Sequence, residues 1–435
     1  MTTQSPGRAW TPTLGAVPAA DGAASFRVWA PRPAVVELVL YGAAGEERVL
    51  PMERDGEYWT ANVVAGAGSR YKYRLDNDAA YPDPCSRRQP EGVHGPSEVV
   101  RPSDFAWTDE GWTPPAVSDL SFYECHIGTL TPEGTFDSAV SQLRRIRELG
   151  VTAVEVMPIA SFAGRWNWGY DGVALYAPAE PYGGPEDFRQ FVDAAHGVGL
   201  AVVLDVVYNH FGPSGNYTSL YSERYLTEGR HTPWGDALNF DGAGSAEVRR
   251  YFTENALHWV HEYHVDGFRF DATFGIVDTS TVHYLAELAS TLEEHSRTGS
   301  KPYTISETHE NDVKYFQPQD EGGYNWDAVW ADDFHHIVRT TITHEDEGTT
   351  RTTAAATHDL GQVIVQGFFY EGQVAGGRRA SGHTGARPGV EPLRVRIQNH
   401  DQIGNRAFGQ RLNTTASHAD YFAASLLCSC CRSRR

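Results

Sequence analysis

Long apolar runs are missing from this 435-residue chain. No stretch approaches the roughly 20 residues that a membrane-spanning helix needs, and the first ten residues carry no apolar signal-peptide core. Cysteine is scarce. Of the five, Cys85 and Cys125 stand alone, while Cys428, Cys430 and Cys431 crowd the last eight positions. An odd and uneven set is no disulfide framework, so the expected setting is reducing and cytoplasmic, with no membrane partner. Basic charge is also short. Against 56 acidic residues stand 36 Lys and Arg, a net charge of -20. Such a surface repels phosphate backbones and anionic lipid, which disfavours nucleic acid. It suits a neutral substrate, or it serves solubility alone. There is no EF-hand loop, no His-x-x-x-His pair and no Gly-x-Ser-x-Gly elbow. Asp205, Asn209 and His210 have the chemistry of metal ligands but lack such a context, so neither a metal nor a cofactor is expected.

What is present is apolar and aromatic. Apolar residues make up 40% and charged residues 21%, enough for a sizeable core. Eleven Trp and twenty-one Tyr fit either a large core or a cleft that stacks flat substrates. At roughly 100–200 residues per domain, the length predicts two or three domains.

Residues 1–105 carry short alternating runs at 24–29, 35–41, 59–64 and 71–75. Turn residues such as Asp55-Gly56 and Ala65-Gly66-Ala67-Gly68 part them. This is the pattern of a small immunoglobulin-like β-sandwich. Thr113-Pro114-Pro115 reads as a linker. From 106 onward the rhythm becomes β then α. Buried strands are expected at 122–126, 153–157, 201–206, 267–271, 303–306, 328–331 and 395–398. Helices are expected at 136–149, 185–198 and 247–263. Seven such units predict an α/β fold, a parallel TIM-type (β/α) barrel over 106–435, with its chemistry at the C-terminal strand ends.

The polar residues fall at those ends. They are Asp205 with Asn209-His210, Asp271, Glu307, and Asn399-His400-Asp401. One such acid is usually a helix N-cap; four in order exceed that need. Carboxylates sharing a pocket are driven to different acidities, so one attacks while another carries a proton. Arg269 lies two residues before Asp271, on the same strand face, and favours an ionised nucleophile there. Glu307, with a longer stem and no basic sequence neighbour, is the candidate proton carrier. His210 and His400 are candidate donors to sugar hydroxyls, and Asp401 a candidate acceptor. Each histidine also fits a core or helix-end role. Trp166, Trp168 and Tyr170 offer flat platforms, though Trp166 equally fits loop packing.

Asp205-Val206-Val207-Tyr208-Asn209-His210, Gly267-Phe268-Arg269-Phe270-Asp271, the Glu307 strand end and Asn399-His400-Asp401 resemble, in order and spacing, the signature regions of the α-amylase family of glycoside hydrolases. The resemblance implies a retaining double displacement with Asp271 as nucleophile, Glu307 as acid/base and Asp401 as transition-state stabiliser. A closer resemblance, to the trehalose-releasing branch of that family, covers nearly the whole chain to about 425. It rests on Tyr123-Glu124-Cys125-His126-Ile127-Gly128, Asn167-Trp168-Gly169-Tyr170-Asp171-Gly172, His231-Thr232-Pro233-Trp234-Gly235, Trp330-Ala331-Asp332-Asp333-Phe334-His335-His336 and Asn399-His400-Asp401-Gln402-Ile403-Gly404-Asn405-Arg406. It implies substrate contacts from Tyr170, Asp171, Asp205, His210, Trp234, Arg269, Asp332, Asp333, Phe334, His335, His400 and Arg406. It also implies a glycan-binding-type N-terminal module. The implied partner is a trehalose-terminated malto-oligosaccharide, cut at the α-1,4 bond beside the trehalose. A glucan branching or debranching enzyme and a non-catalytic glucan-binding remnant are the alternatives.

The chain departs from the pattern at Phe274-Gly275, where this branch more often has His and Ala, and at Thr308-His309, where an acid is usual. The tail Cys428-Ser429-Cys430-Cys431-Arg432-Ser433-Arg434-Arg435 replaces the family's continuation. This predicts a truncated or frameshifted barrel that lacks its last unit and has reduced stability.

Overall fold

The alternating residues of the N-terminal region form two antiparallel sheets in the computed structural model, which describes residues 10–345, 357–370, 374–375, 378–379 and 393–430. One sheet runs Gly15–Pro18, Ala23–Trp29, Tyr58–Val64, Glu53–Asp55. The other runs Glu47–Pro51, Val36–Tyr41, Arg70–Leu75, Ala80–Tyr81, with Ser97–Glu98 also pairing on Arg70–Leu75. Alternation puts Phe26, Val28, Leu38, Leu40, Tyr71, Tyr73 and Leu75 in one core. Each large side chain buried there contributes about 1.5–3 kcal/mol. The Tyr71 and Tyr73 hydroxyls donate to one Asp83 oxygen, at 2.7 and 3.3 Å, so their polar ends are satisfied.

The chain forms two compact units. The first comprises 1–115, 121–269 and 275–302, the second 116–120, 270–274 and 303–435. The sandwich lies in the first. There it meets parallel strands Phe122–Cys125, Ala153–Val156 and Ala201–Val206, with residues 267–269 of the strand Gly267–Phe270 following in order. Helix Phe136–Glu148 joins the first two strands. Thr135 and Ser138 cap it reciprocally, and Phe136, Ala139, Leu143 and Ile146 form its buried stripe at spacings of three and four. Helix Pro185–Gly197 starts on a proline at its first turn, where the missing N–H costs nothing. Helix Ser245–Tyr263 is buried on most of its surface.

Side chains from the barrel region reach into the sandwich. Tyr221 joins its core and donates to the Pro82 carbonyl at 2.8 Å, and Tyr251 donates to the Pro84 carbonyl at 3.0 Å. Arg87 meets Glu262 at 3.3 Å, both nearly inaccessible. Burial works against the Glu262 charge, but Arg87 and His258 outweigh it and pull its pKa down to about 2.

The second unit holds parallel strands Tyr303–Glu307, Ala328–Trp330 and Leu393–Arg394, paired in that order. Helices Asp332–Thr343, Thr357–Gln366 and His418–Cys430 accompany them. Its core gathers Phe334, Ile337, Val338, Val363 and Leu412. The strand expected at 395–398 is found two residues earlier. Groups outside any sheet occupy 395–398 instead. The Val395 carbonyl faces the Cys428 thiol, the Ile397 carbonyl meets His335 Nδ1, and Gln398 Oε1 takes the Leu412 N–H. Among the described residues no helix is long and apolar enough to cross a membrane. Cys431 and the rest of 431–435 lie outside the described residues.

Candidate active site

In the first unit the buried strand Ala201–Val206 delivers Asp205, only 1% exposed. Arg269 Nη1 donates to both its oxygens at 2.9 Å, and the Tyr170 hydroxyl donates to Oδ2 at 2.7 Å. A dry carboxylate and guanidinium persist only as a hydrogen-bonded pair. Asp205 lies 64 residues from Arg269, a partner that the i, i+2 spacing along the Arg269 strand does not show. Tyr170 also lies under this cation, its ring centroid 5.9 Å from the guanidinium carbon.

His210, 7% exposed, has its Nδ1 against Asn209 Oδ1 and its Nε2 3.1 Å from the Tyr170 carbonyl. Trp234 stacks on the imidazole, with ring centroids 5.3 Å apart and an interplanar angle of 9°, and stays 41% exposed. Gly275 makes room for this stack: a Cβ there would press on Trp234 Cζ3 and Asn209 Cβ at 3.2 Å. Trp166 and Trp168 are exposed, and Asp171 accepts from Asn167 Nδ2 at 2.7 Å. Two glycines permit the close packing of these loops. A Cβ on Gly169 would sit 2.0 Å from the Pro158 carbonyl oxygen, and one on Gly212 equally close to that of Asp171.

In the second unit Asp271 follows its strand directly and is partly buried. The next residue, Ala272, has φ +39°, and its N–H donates to Glu307 Oε2 at 2.8 Å. The turn after the expected nucleophile therefore holds the expected proton carrier. Asn399 caps the short helix His400–Gly404 by accepting the Asp401 N–H at 3.1 Å, which leaves Asp401 about half exposed at the helix start. His400 Nε2 lies 3.5 Å from Asp401 Oδ1.

Asp332 pairs with Arg396 and accepts weakly from Gln402 at 3.4 Å. The other expected contacts on this segment are inside. Asp333 Oδ2 accepts from the Phe369 and Tyr370 N–H groups and from Asn311 Nδ2, and Phe334 is in the core. Burial pushes the Asp333 carboxyl up to about 6 despite those three donors. Burial likewise holds the His335 imidazole down at about 3. Arg406 grips Glu345 with both terminal nitrogens at 3.2 Å.

Glu345 and Arg396 were not among the expected residues, because the bonds that tie them to Arg406 and Asp332 span about 60 residues and leave no local pattern. The two departures from the family pattern meet in space, the Phe274 and His309 rings crossing edge to face at 4.2 Å.

Comparison with known proteins places the fold. The model for the α-amylase catalytic domain matches residues 90–229, and that for carbohydrate-binding module 48, the isoamylase N-terminal domain, matches 13–88. A crystal structure from Salmonella typhimurium, described as an alpha amylase, superposes with TM-score 0.86 at 40% identity, covering 94% of this chain and 69% of that one. A pullulanase from Paenibacillus barengoltzii shares the fold at 23% identity, TM-score 0.72, over 97% of this chain and 71% of its own. The matched catalytic domain, the N-terminal module and the superposition together define a glycoside hydrolase of the α-amylase class.

The curated relatives narrow this. Malto-oligosyltrehalose trehalohydrolases of Saccharolobus solfataricus and Deinococcus radiodurans are each 43% identical, over 93% and 92% of this chain and 70% and 65% of their own lengths. That of Mycobacterium tuberculosis is 42% identical over 89% of this chain and 67% of its own. The chain belongs to the malto-oligosyltrehalose trehalohydrolase family and spans about two thirds of these relatives' length.

Proposed function

We propose that this protein hydrolyses the α-1,4-glucosidic bond beside the terminal trehalose of maltooligosyl trehalose, releasing trehalose and a malto-oligosaccharide with retained configuration. The observation that carries this reading is the family relationship over about nine-tenths of the chain. The Asp271 carboxylate attacks the anomeric carbon while Glu307 protonates the departing glycosidic oxygen, so trehalose leaves and a glycosyl ester forms. Water, deprotonated by Glu307, then opens the ester and frees Asp271. Asp401 stabilises the cationic transition state. The Ala272 N–H on Glu307 supports the pairing of these two carboxylates, because it ties Glu307 to the turn that follows Asp271.

The proposed substrate contacts are Tyr170, Asp171, Asp205, His210, Trp234 and Arg269 in the first unit and Asp332, His400 and Arg406 in the second. Asp333, Phe334 and His335, buried in the second unit, brace the segment that bears Asp332. The sandwich is a glycan-binding-type module joined near residue 105. A neutral substrate accords with the net charge of -20. A cytoplasmic site accords with Cys85 and Cys125, buried thiols without a disulfide.

Incubation with maltotriosyl trehalose is the test. Trehalose and maltotriose are the expected products, and Asp271→Asn and Glu307→Gln each abolish turnover while binding survives. A fully active Glu307→Gln protein removes that assignment. A glucan branching enzyme of Nocardia farcinica is 34% identical over 57% of this chain, which keeps branching as the second reading. New α-1,6 linkages without trehalose would favour it.

A further inference from the structure

Glu307 is held by more than its strand. Immediately after Asp271 the backbone enters the left-handed region at Ala272, an uncommon place for a residue with a Cβ. Such a turn persists when its surroundings over-determine it. Thr273 does so here. Its side chain is 2% exposed, and Oγ1 lies 2.6 Å from Ser306 Oγ, 3.2 Å from the Glu307 carbonyl and 3.1 Å from the Tyr315 hydroxyl. Tyr315, 1% exposed, donates in turn to Glu310 Oε2 at 2.8 Å.

A carboxylate only accepts, so Glu310 sets the direction of the whole chain. Tyr315 O–H points to Glu310, the one Thr273 proton is shared between the Tyr315 oxygen and the Glu307 carbonyl, and Ser306 O–H is left to point to Thr273. Polarised in one sense, such bonds reinforce each other in a dry interior. The chain begins on the residue before Glu307 and passes through the residue after Ala272. It therefore fastens both ends of the contact between the Ala272 N–H and the Glu307 carboxylate.

We propose that Thr273 and Tyr315 are positioning residues for the hydrolysis. Through the hydroxyl chain to Glu310 they hold the Ala272 turn so that its N–H fixes one oxygen of Glu307 beside the strand end that bears Asp271. This rests on the roles assigned to Asp271 and Glu307 above. A carboxylate that accepts an N–H is favoured in its charged form, so loosening the turn makes Glu307 harder to ionise.

The test uses the full chain acting on maltotriosyl trehalose, with pH profiles for wild type, Thr273→Val, Thr273→Ser and Tyr315→Phe. Thr273→Val keeps the shape and loses the hydroxyl. Its kcat falls by about 10- to 100-fold, the scale of a small misplacement of reacting groups, while KM changes by less than about twofold. The alkaline limb of kcat/KM, which reports the acid/base, moves to higher pH. Thr273→Ser restores both, and Tyr315→Phe moves the limb in the same direction as Thr273→Val. A folded Thr273→Val or Tyr315→Phe protein with wild-type kcat and an unmoved limb overturns the proposal. Should Thr273→Val fail to fold, Tyr315→Phe, which keeps the ring, decides alone. A wild-type protein that releases no trehalose defeats the functional reading instead. The proposal is then decided in crystals of Tyr315→Phe: it stands if the 2.8 Å contact between Ala272 N and Glu307 opens, and falls if that contact is unchanged.

Discussion

Arg269 and Asp205 form the tightest charged contact of the first unit's cluster, both at most 2% exposed. Breaking such a pair from one side leaves a charge in a dry place, which costs about 3–5 kcal/mol, whereas removing both charges costs far less. Arg269→Met is therefore expected to lower the unfolding free energy by about that amount. Adding Asp205→Leu to it should recover part of the loss, an opposite sign from additive damage. Urea denaturation of the two variants measures this, and a double variant less stable than the single one would refute the buried-pair argument. The case also marks how far a site can be read from sequence. That the end of the Asp271 strand lies beside Glu307 was legible, because each ends an apolar run and barrel chemistry gathers at strand ends. That Arg269 bonds Asp205 was not legible, since this bond is made between strands and spacing along one strand is silent about its neighbour. Asp333 and His335 show the converse. Their motif was visible, but only the fold reveals that Asp333 spends its oxygen on the Phe369 and Tyr370 amides.

Strands and helices were legible both as one-sided periodicity and as short apolar runs, the fully buried strand Ala201–Val206 matching its expected bounds. The alternation around Phe26 and Val28 and the stripe on Phe136–Glu148 repeat with the period of their element, and both were found within a residue of their observed ends. The strand Leu393–Arg394 was misplaced because 395–398 is equally apolar in pattern, and its carbonyls are claimed by His335 and Cys428 and its Gln398 side chain by the Leu412 N–H, all from other elements. How the sandwich attaches left no periodic trace either. Its firmest polar tie is Arg87 to Glu262, with Arg87 Nη1 also donating to the Ala16 carbonyl at 3.1 Å. Arg87→Met should therefore cost about 3–5 kcal/mol, while breaking the exposed Arg70–Glu91 pair should cost about 0–1. Thermal unfolding of Arg87→Met and Arg70→Met makes the comparison. Equal, small shifts for both would mean that the sandwich is not braced through this ion pair.

At the scale of the whole molecule, pH acts through His196, whose side chain is 1% exposed and lies between two carboxylates. Its Nδ1 is 2.9 Å from Asp109 Oδ2 and its Nε2 3.0 Å from Asp266 Oδ2, so both ring nitrogens donate and the imidazole is charged. Asp109 also takes His264 at 2.9 Å and Arg297 at 3.5 Å; Asp266 takes the Trp112 N–H and the Val202 N–H, both at 2.8 Å. The Trp112 ring lies flat on the imidazole at 4.6 Å. One cation thus fastens the 105–115 segment, the end of helix Pro185–Gly197 and the residue that opens the strand leading to Asp271. Burial disfavours the His196 charge, but Asp109 and Asp266 overcome it and raise its pKa above 6.5. A base whose pKa is raised by folding stabilises fully below the unfolded value, about 6.5, and loses that contribution as pH climbs through the folded value. Asp109 has the opposite sense. Burial resists its charge, yet His196 and His264 hold its pKa below the ordinary carboxylate range, so its contribution is present above about 4 and is lost in acid. Other buried histidines blur the raw profile, because burial pulls His261 down to about 4 and His335 to about 3, and both favour the fold at higher pH. The difference between wild type and His196→Gln isolates the clamp. That difference in Tm should be largest near pH 5–6, above the Asp109 window and below the unfolded histidine pKa, and should shrink as pH rises through the elevated His196 value. A gap that stays constant from pH 5 to 9 would mean that the imidazole acts as a neutral spacer, and that the charge between Asp109 and Asp266 does not hold the fold together.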